Sequence, residues 1–511
     1  MIRSLITIAA LFVSASMMAQ PLTSPAIDNL VAKSMKAFDV PGMAVAIVKD
    51  GKVIHSKGYG VRSLNSPAKV DENTLFGIAS NSKAFTAAAL GMLIDEGKLT
   101  WDTKVREIIP EFKLYSPFVT EEFTVRDLLT HRSGLGLGAG DLMFFPDSSD
   151  FTIKDVIYNL RFLKAVSSFR TKYDYDNNLY IVAGEVVHRI SGKTWEDFIE
   201  QRILTPLSMT KSAASFSRLK DKSNVIDPHA SVDGKVKVIH RENIDIGNAA
   251  GGINSSIADL SKWVQLHLAH GLYNGNQKLF SETVHEDMWS QQTIIPVFGP
   301  GPYNTHFRSY GLGFGLSDVK GYKQVSHTGG LSGIVTQITM IPELNLGIIV
   351  LTNQHEGGAF SAVTNQIKDS YFGITGTDRV TEYSTQRNSG VTKAKHLTDS
   401  LWNEVKNANK ASVDFNNYAG TYKDDWFGDV IISVKNGRWW FDSKRSPKLT
   451  GELFYLKGNT FIVKWNERSF DADSFVTFQL GENGKGLRIK MKAISPLTDF
   501  SYDFHDLDLH R

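Results

Sequence analysis

Phe76-Gly77-Ile78-Ala79-Ser80-Asn81-Ser82-Lys83-Ala84-Phe85-Thr86 is the stretch on which the reading of this chain turns. The apolar, Ala-rich run from Ala84 to Leu93 predicts a helix with Ser80 at its N-terminal end. Serine and lysine three residues apart then lie one turn from each other on one face, so the Lys83 amine can reach the Ser80 hydroxyl. A serine with its own base is a candidate nucleophile. The extended Thr74-Leu75-Phe76-Gly77 ahead of it points to a buried helix start, where a lysine is partly desolvated and holds its proton less tightly. Spacing alone does not select this pair. Ser66/Lys69, Ser208/Lys211, Ser217/Lys220 and Ser317/Lys320 share it, and a capping serine beside a surface lysine is the plain alternative.

Upstream, Ile27 to Phe38 has helical spacing and ends at Pro41-Gly42. Met43 to Val48 and Val53 to Gly60 read as strands on either side of Lys49-Asp50-Gly51-Lys52, where Asp-Gly predicts a hairpin. Residues from Ile94 to about Phe280 read as helices and loops, with Val156 to Leu163, Leu179 to Ile190 and Leu260 to Ala269 the clearest helices. Strands return at Tyr310 to Leu316, Tyr322 to His327, Gly333 to Ile341 and Leu346 to Thr352, and a helix follows from about Ala359 to Tyr371. Strands at both ends of this region with helices between them predict one mostly antiparallel sheet flanked by helices, carrying a helical lobe, an α/β (α+β) arrangement with a cleft between sheet and lobe.

From 375 to 413 the composition turns polar and only Leu397 to Val405 reads as helical, so this stretch is expected to be a linker. Beyond it Val430/Ile432/Val434, Val476/Phe478/Leu480 and Leu487/Ile489/Met491 alternate with polar residues, which predicts a small all-β domain, barrel or sandwich, over 414–511. Its aromatics, Trp426, Trp439, Trp440, Phe441 and Trp465, are expected in the core of that domain.

The 511 residues are 42% apolar and 11% aromatic, enough for a large core and two domains. A formal net charge of +2 without a Lys/Arg block excludes the electrostatic footprint of a nucleic-acid binder. Cysteine is absent, which excludes disulfides, a thiol nucleophile and thiolate metal sites. Arg3, the apolar stretch Leu5 to Val13 and the small residues around Ala15 to Ala19 have the layout of a secretory signal peptide, residues 1–19, cleaved after Ala19. The mature chain, 20–374 plus the later segments, is then expected in a bacterial periplasm or outside the cell with no stable membrane anchor.

Two further groups join Ser80 and Lys83. Tyr175-Asp176-Asn177 precedes the Leu179 helix, and His327-Thr328-Gly329-Gly330 ends a strand. In the order Ser-x-x-Lys, Tyr-x-Asn, His-Thr-Gly, they resemble the signature elements of the serine β-lactamase and penicillin-binding-protein superfamily, in its class C-like branch, the peptidase S12 type. Leu128-Leu129-Thr130-His131-Arg132-Ser133-Gly134-Leu135, Ala250-Gly251-Gly252-Ile253 and Val40-Pro41-Gly42-Met43 resemble the same branch, and the likeness runs from about Ile27 to Tyr371. The resemblance implies that Ser80 is acylated, that Lys83 and Tyr175 handle its proton and the leaving group's, and that Asn177 positions Lys83 or the substrate amide. It also implies an oxyanion hole from the backbone N–H groups of Ser80 and Gly330 beside Thr328 and Gly329.

His327 stands where the β-lactamase pattern has a lysine that faces a substrate carboxylate, and a histidine mostly neutral at pH 7 holds an anion less firmly. The expected activity therefore moves toward an esterase, amidase or peptidase acting on a D-residue peptide or cell-wall fragment. A D-Ala-D-Ala carboxypeptidase or β-lactamase is the alternative, and a non-catalytic cell-wall-ligand binder the alternative of another class. The C-terminal domain resembles a lipocalin-like appendage of such hydrolases and is expected to cover the cleft or to mediate homo-oligomerisation. Other chemistries lack their motifs: there is no Gly-x-Ser-x-Gly, Gly192-Lys193-Thr194 lacks the P-loop glycine at Val187, and His267/His270 lack the zinc-protease pattern. No metal and no organic cofactor is implied.

Overall fold

A computed structural model describes residues 20–409 and 413–511. The expected signal peptide, 1–19, lies outside the described residues. The described residues open with helix α1 (Ser24–Phe38), followed by strands β1 (Gly42–Lys49), β2 (Lys52–Ser63) and β3 (Ser66–Lys69). Asp50 and Gly51 both take positive φ, 51° and 73°, the type I′ geometry that matches the twist of a two-residue hairpin. Helix α2 (Ser82–Asp95) comes next, then a lobe built around α3 (Asn178–Ser191), and α4 (Ile257–Leu268), which packs back on the sheet. The chain returns through β4 (Thr293–Ile295), β5 (Arg308–Tyr310), β6 (Gly315–Val319), β7 (Tyr322–Leu331), β8 (Ile334–Ile341), β9 (Leu346–Thr352) and α5 (Gly357–Tyr371).

These strands form one antiparallel nine-stranded sheet in the order β4-β5-β6-β7-β8-β9-β1-β2-β3, so both ends of the hydrolase-like region meet at the β9–β1 pair. Strand β1 is apolar at nearly every position because both its faces are covered. Met43, Val45 and Ile47 join the core under α1 and α5, whereas Ala44, Ala46 and Val48 join the larger core with Phe85, Leu90 and Trp263. Helix α2 is buried all round, Ser82 to Leu93, as a helix without a polar face must be.

Two expectations are corrected. Tyr310 to Leu316 is not one strand but the turn of the β5–β6 hairpin, where Tyr310 pairs with Gly315. Gly313, at φ +80°, makes that turn against α2, and a Cβ there would lie 2.8 Å from the Cα of Ala84. In the polar stretch 375–413, expected as a linker, the helix is not confined to Leu397 to Val405. The stretch carries one 29-residue helix, α6 (Arg379–Asn407). Few apolar residues mark it: Val380, Ala394 and Val405 are its buried ones. Its first turn is fixed by the Asp378 side chain accepting from the Thr381 N–H and by the buried Arg379–Asp369 pair, so tertiary contacts override weak propensity.

The C-terminal domain is a closed eight-stranded antiparallel barrel, Gly420–Asp424, Gly428–Lys435, Arg438–Ser443, Thr450–Lys457, Thr460–Trp465, Ser474–Leu480, Gly486–Ala493 and Leu509–His510. Closure pairs every edge. Trp426, Phe441 and Trp465 are buried as expected, while Trp439 and Trp440 are half-buried. The barrel is docked against the lobe: Arg445 pairs with Asp150 at 2.6 Å, Lys448 pairs with Asp147, and Asn159 Nδ2 donates to the Trp426 carbonyl at 2.8 Å.

Candidate active site

Ser80 stands in a single 3₁₀ turn, Ala79–Asn81, that leads into α2. Ala79 takes φ +49°, a left-handed conformation that costs an L-residue energy and persists only where its surroundings impose it. The constraints are visible. Asn81 Nδ2 donates to Thr336 Oγ1 at 2.9 Å, and Thr336 Oγ1 donates to the Ile78 carbonyl at 3.0 Å, tying the turn to β8. Strand β7 passes close enough that a Cβ on Gly329 would come within 2.2 Å of the same carbonyl. Gly329 is therefore required by close approach, whereas Gly330 next to it faces open space.

Lys83, fully buried in the first turn of α2, directs its amine at three acceptors: Ser80 Oγ at 3.1 Å, Asn177 Oδ1 at 2.7 Å and the Ala250 carbonyl at 2.9 Å. Three acceptors match the three N–H bonds of an ammonium, yet burial pushes its pKa down to about 7, against the pull of the Asp141 and Asp176 carboxyls. When the proton is lost, the lone pair can turn to the Ser80 hydroxyl, the partner among the three with a proton to give. The Tyr175 and Tyr180 rings complete the enclosure, 4.8 Å and 5.2 Å from the amine.

Tyr175 and Asn177 come from the loop that starts α3. The Tyr175 hydroxyl is buried outside regular hydrogen-bond geometry; burial raises its pKa well above the ordinary range, and Ser80 is the group that draws it back. The Asn177 carboxamide spans two partners: its Oδ1 accepts from Lys83 and its Nδ2 donates to Asp141 Oδ2 at 2.8 Å, which sets the orientation of the amide. Asp141, fully buried, has its pKa raised well above the carboxylate range by burial, and that of Asp176 rises to about 7 for the same reason.

His327 lies on β7. Its Nδ1 is 2.5 Å from the Thr328 carbonyl and its Nε2 is 2.8 Å from Tyr310 Oη. A carbonyl cannot donate, so Nδ1 carries the proton and Tyr310 donates to Nε2, the neutral ring. Burial and the Lys83 charge agree with that tautomer, pushing the pKa to about 3. His131 stacks on Tyr175 with centroids 4.2 Å apart, meets Tyr310 at 4.5 Å, and is likewise held far below its ordinary pKa by burial, while its Nδ1 accepts from the Asp176 N–H at 3.1 Å.

Ser80, Tyr175, Asn177, His327, Thr328 and Gly330 line one cavity of about 1400 Å³. Lys83 lies beneath it and Gly329 packs behind it. The cavity is walled by sheet and lobe, as expected, and also by α6 through Arg387 and Ala394 and by the barrel through Phe500 and Ser501. The barrel wall agrees with the expectation that the C-terminal domain covers the cleft, whereas Asp141, Tyr310 and the wall from α6 were missed by sequence reasoning. Asp141 follows the glycine-rich Leu135-Gly136-Leu137-Gly138-Ala139-Gly140, whose loop character was visible but whose partner was not. Among the described residues, no group of three or more His, Asp or Glu side chains is arranged to hold a metal ion.

The profile of the family described as Beta-lactamase matches residues 27–370, and that of a domain of unknown function, DUF3471, matches residues 405–511. An unguisins hydrolase of Aspergillus violaceofuscus is 30% identical over 382 residues, 69% of this chain and 65% of its own length. Protein flp of Staphylococcus aureus is 25% identical over 330 residues, 64% of this chain and 62% of that protein. The chain thus spans less than two thirds of the length of these relatives. The structure titled an octameric penicillin-binding protein homologue from Pyrococcus abyssi shares the fold with a TM-score of 0.62 at 22% identity, over 96% of this chain and 100% of that one.

Proposed function

This chain belongs to the beta-lactamase family, and from that premise we propose that it is an exported serine hydrolase that opens an ester or amide through an acyl-enzyme on Ser80. The observation that carries the reading is the Lys83 amine, buried, brought to a pKa of about 7 and 3.1 Å from Ser80 Oγ. Near neutral pH about half of it is free base, the state a general base needs. As Ser80 Oγ attacks the substrate carbonyl, its proton passes to Lys83 and the carbonyl oxygen gains charge between the backbone N–H groups of Ser80 and Gly330. Collapse of the tetrahedral species expels the alcohol or amine, which takes a proton by way of Tyr175. Water then attacks the acyl-enzyme, giving up a proton to the same pair and releasing the acid.

The neutral His327 carries no charge for a substrate carboxylate, which supports an ester, amide or D-residue peptide over a β-lactam. The cavity exceeds the few hundred to ~1000 Å³ of ordinary small-molecule sites, which supports a substrate of peptide size, and one relative is named a hydrolase, of unguisins, which supports hydrolysis. Export rests on the sequence of residues 1–19, and self-association on the octameric title of the pyrococcal homologue. A fluorophosphonate probe tests the core of the proposal. It should label the protein and fail to label Ser80→Ala; equal labelling of both would end the assignment. A panel of p-nitrophenyl esters, D-amino-acid amides and nitrocefin then ranks the substrates, and fast nitrocefin turnover without ester turnover would put β-lactams ahead of esters.

A further inference from the structure

The segment that leads into the last strand of the barrel leaves the barrel wall and enters the lobe. Asp503 accepts from two backbone N–H groups of the lobe, Gly140 at 2.6 Å through Oδ2 and Leu142 at 3.3 Å through Oδ1. Two residues earlier, Ser501 Oγ donates to Asp141 Oδ2 at 2.8 Å, the same oxygen that receives Asn177 Nδ2. An unbroken chain of hydrogen bonds therefore runs from Ser501 through Asp141, Asn177 and Lys83 to Ser80. Next to Ser501, Phe500 meets Tyr175 edge-on with centroids 5.8 Å apart and lines the cavity with Ser80. The lobe is shaped to admit it: a Cβ on Gly138, at φ +71°, would lie 2.8 Å from the Phe500 carbonyl. Tyr502 packs on Phe145 at 5.0 Å and fixes the segment from its other side.

We infer that the barrel completes the active site of its own chain: Ser501 is a positioning residue acting through Asp141 and Asn177 on Lys83, and Phe500 is a specificity-determining wall of the acyl pocket. The inference rests on the serine-hydrolase reading above. A hydroxyl on the Asp141 oxygen limits the ways that side chain can turn, and so limits the Asn177 amide and the lysine it holds. Phe500 is 39% exposed with its ring toward the cavity, so its removal enlarges the site without opening the core.

The test uses the full chain and a series of p-nitrophenyl esters from acetyl to phenylacetyl, with Ser80→Ala as the reference. Phe500→Ala should raise kcat/KM for the bulky ester relative to acetate by roughly tenfold, the scale on which an apolar pocket discriminates by size. Ser501→Ala should lower kcat several-fold with KM unchanged, and Ser501→Thr, which keeps the hydroxyl, should restore it. Matching melting temperatures would separate these effects from unfolding. If the wild type turns over esters and both alanine variants keep its kcat and its ester ranking, the inference falls while the hydrolase reading stands. If the wild type neither hydrolyses any ester nor takes the fluorophosphonate probe, the hydrolase reading itself has failed.

Discussion

Lys83 and Lys368 lie on opposite faces of the same sheet, both buried, and both pushed down by burial to a pKa of about 7. Their partners differ. Lys368, on α5, donates to Gln324 Oε1 at 2.7 Å and sits 3.9 Å from the Tyr303 ring, so its hydrogen-bond partner is an amide oxygen and not a hydroxyl. Lys83 has the Ser80 hydroxyl at 3.1 Å, and that hydroxyl faces the cavity. A depressed lysine is thus buried beside an amide oxygen on one side of the sheet and beside a serine hydroxyl that opens on the cavity on the other. Geometry, not the shift, separates the two.

Substitutions at the two lysines and their neighbours put this difference at risk. Ser80→Ala should lower kcat by on the order of 10⁵-fold, measured on the best ester of the panel, since loss of the nucleophile removes the covalent route altogether. Lys83→Met should cost about 10³-fold, within the range for a general base, whereas Lys368→Met should stay within about twofold of wild type. A comparable loss in both would mean that the two lysines act only through stability. Tyr175→Phe should slow acylation about 100-fold in stopped-flow with little change in KM, and an unchanged rate would remove the tyrosine from the proton path.

The two lysines should also part in their response to pH. If free-base Lys83 accepts the serine proton, the acylation rate rises about tenfold per pH unit below about 7 and levels above it, and Lys368→Met keeps that profile. The smallest effect is on stability. Between about 7 and the ordinary 10.5 of lysine, the unfolded chain holds a proton on residue 368 that the folded chain has released. Unfolding then takes up protons, so the wild type gains stability as pH rises through this window, and Lys368→Met should show a smaller gain, the remainder coming from Lys83. Urea midpoints of both proteins at pH 7 and pH 9 measure it; parallel midpoints would refute the assignment.

Much of the sheet was legible because its strands carry local signals: the Asp50-Gly51 turn, the continuous apolar run of β1, the alternation in the barrel. Helix α6 was not, because Thr, Ser and Asn make up about a third of it and its first turn is held by Arg379–Asp369. The Ser80, Lys83, Tyr175, Asn177 and His327 group was legible as three short motifs, and the structure sets four of them on one cavity with Lys83 hydrogen-bonded to Ser80 and Asn177 beneath it. Asp141 and Ser501, 360 residues apart in the chain, had no motif to betray that they share a hydrogen bond.

By itself the sequence determined the fold class and the order of sheet, lobe and barrel, and it singled out Ser80–Lys83 as the candidate among five serine–lysine pairs, because hydrophobic period, turn chemistry and short motifs are local properties. The tertiary structure decided the rest. It buried Lys83 and lowered its affinity for a proton, locked His327 neutral between Tyr310 and the Thr328 carbonyl, and seated Phe500 and Ser501 from the far end of the chain at the edge of the site. Desolvation and hydrogen bonding between distant segments exist only once the chain is packed, and they set the protonation states on which the chemistry of Ser80 depends.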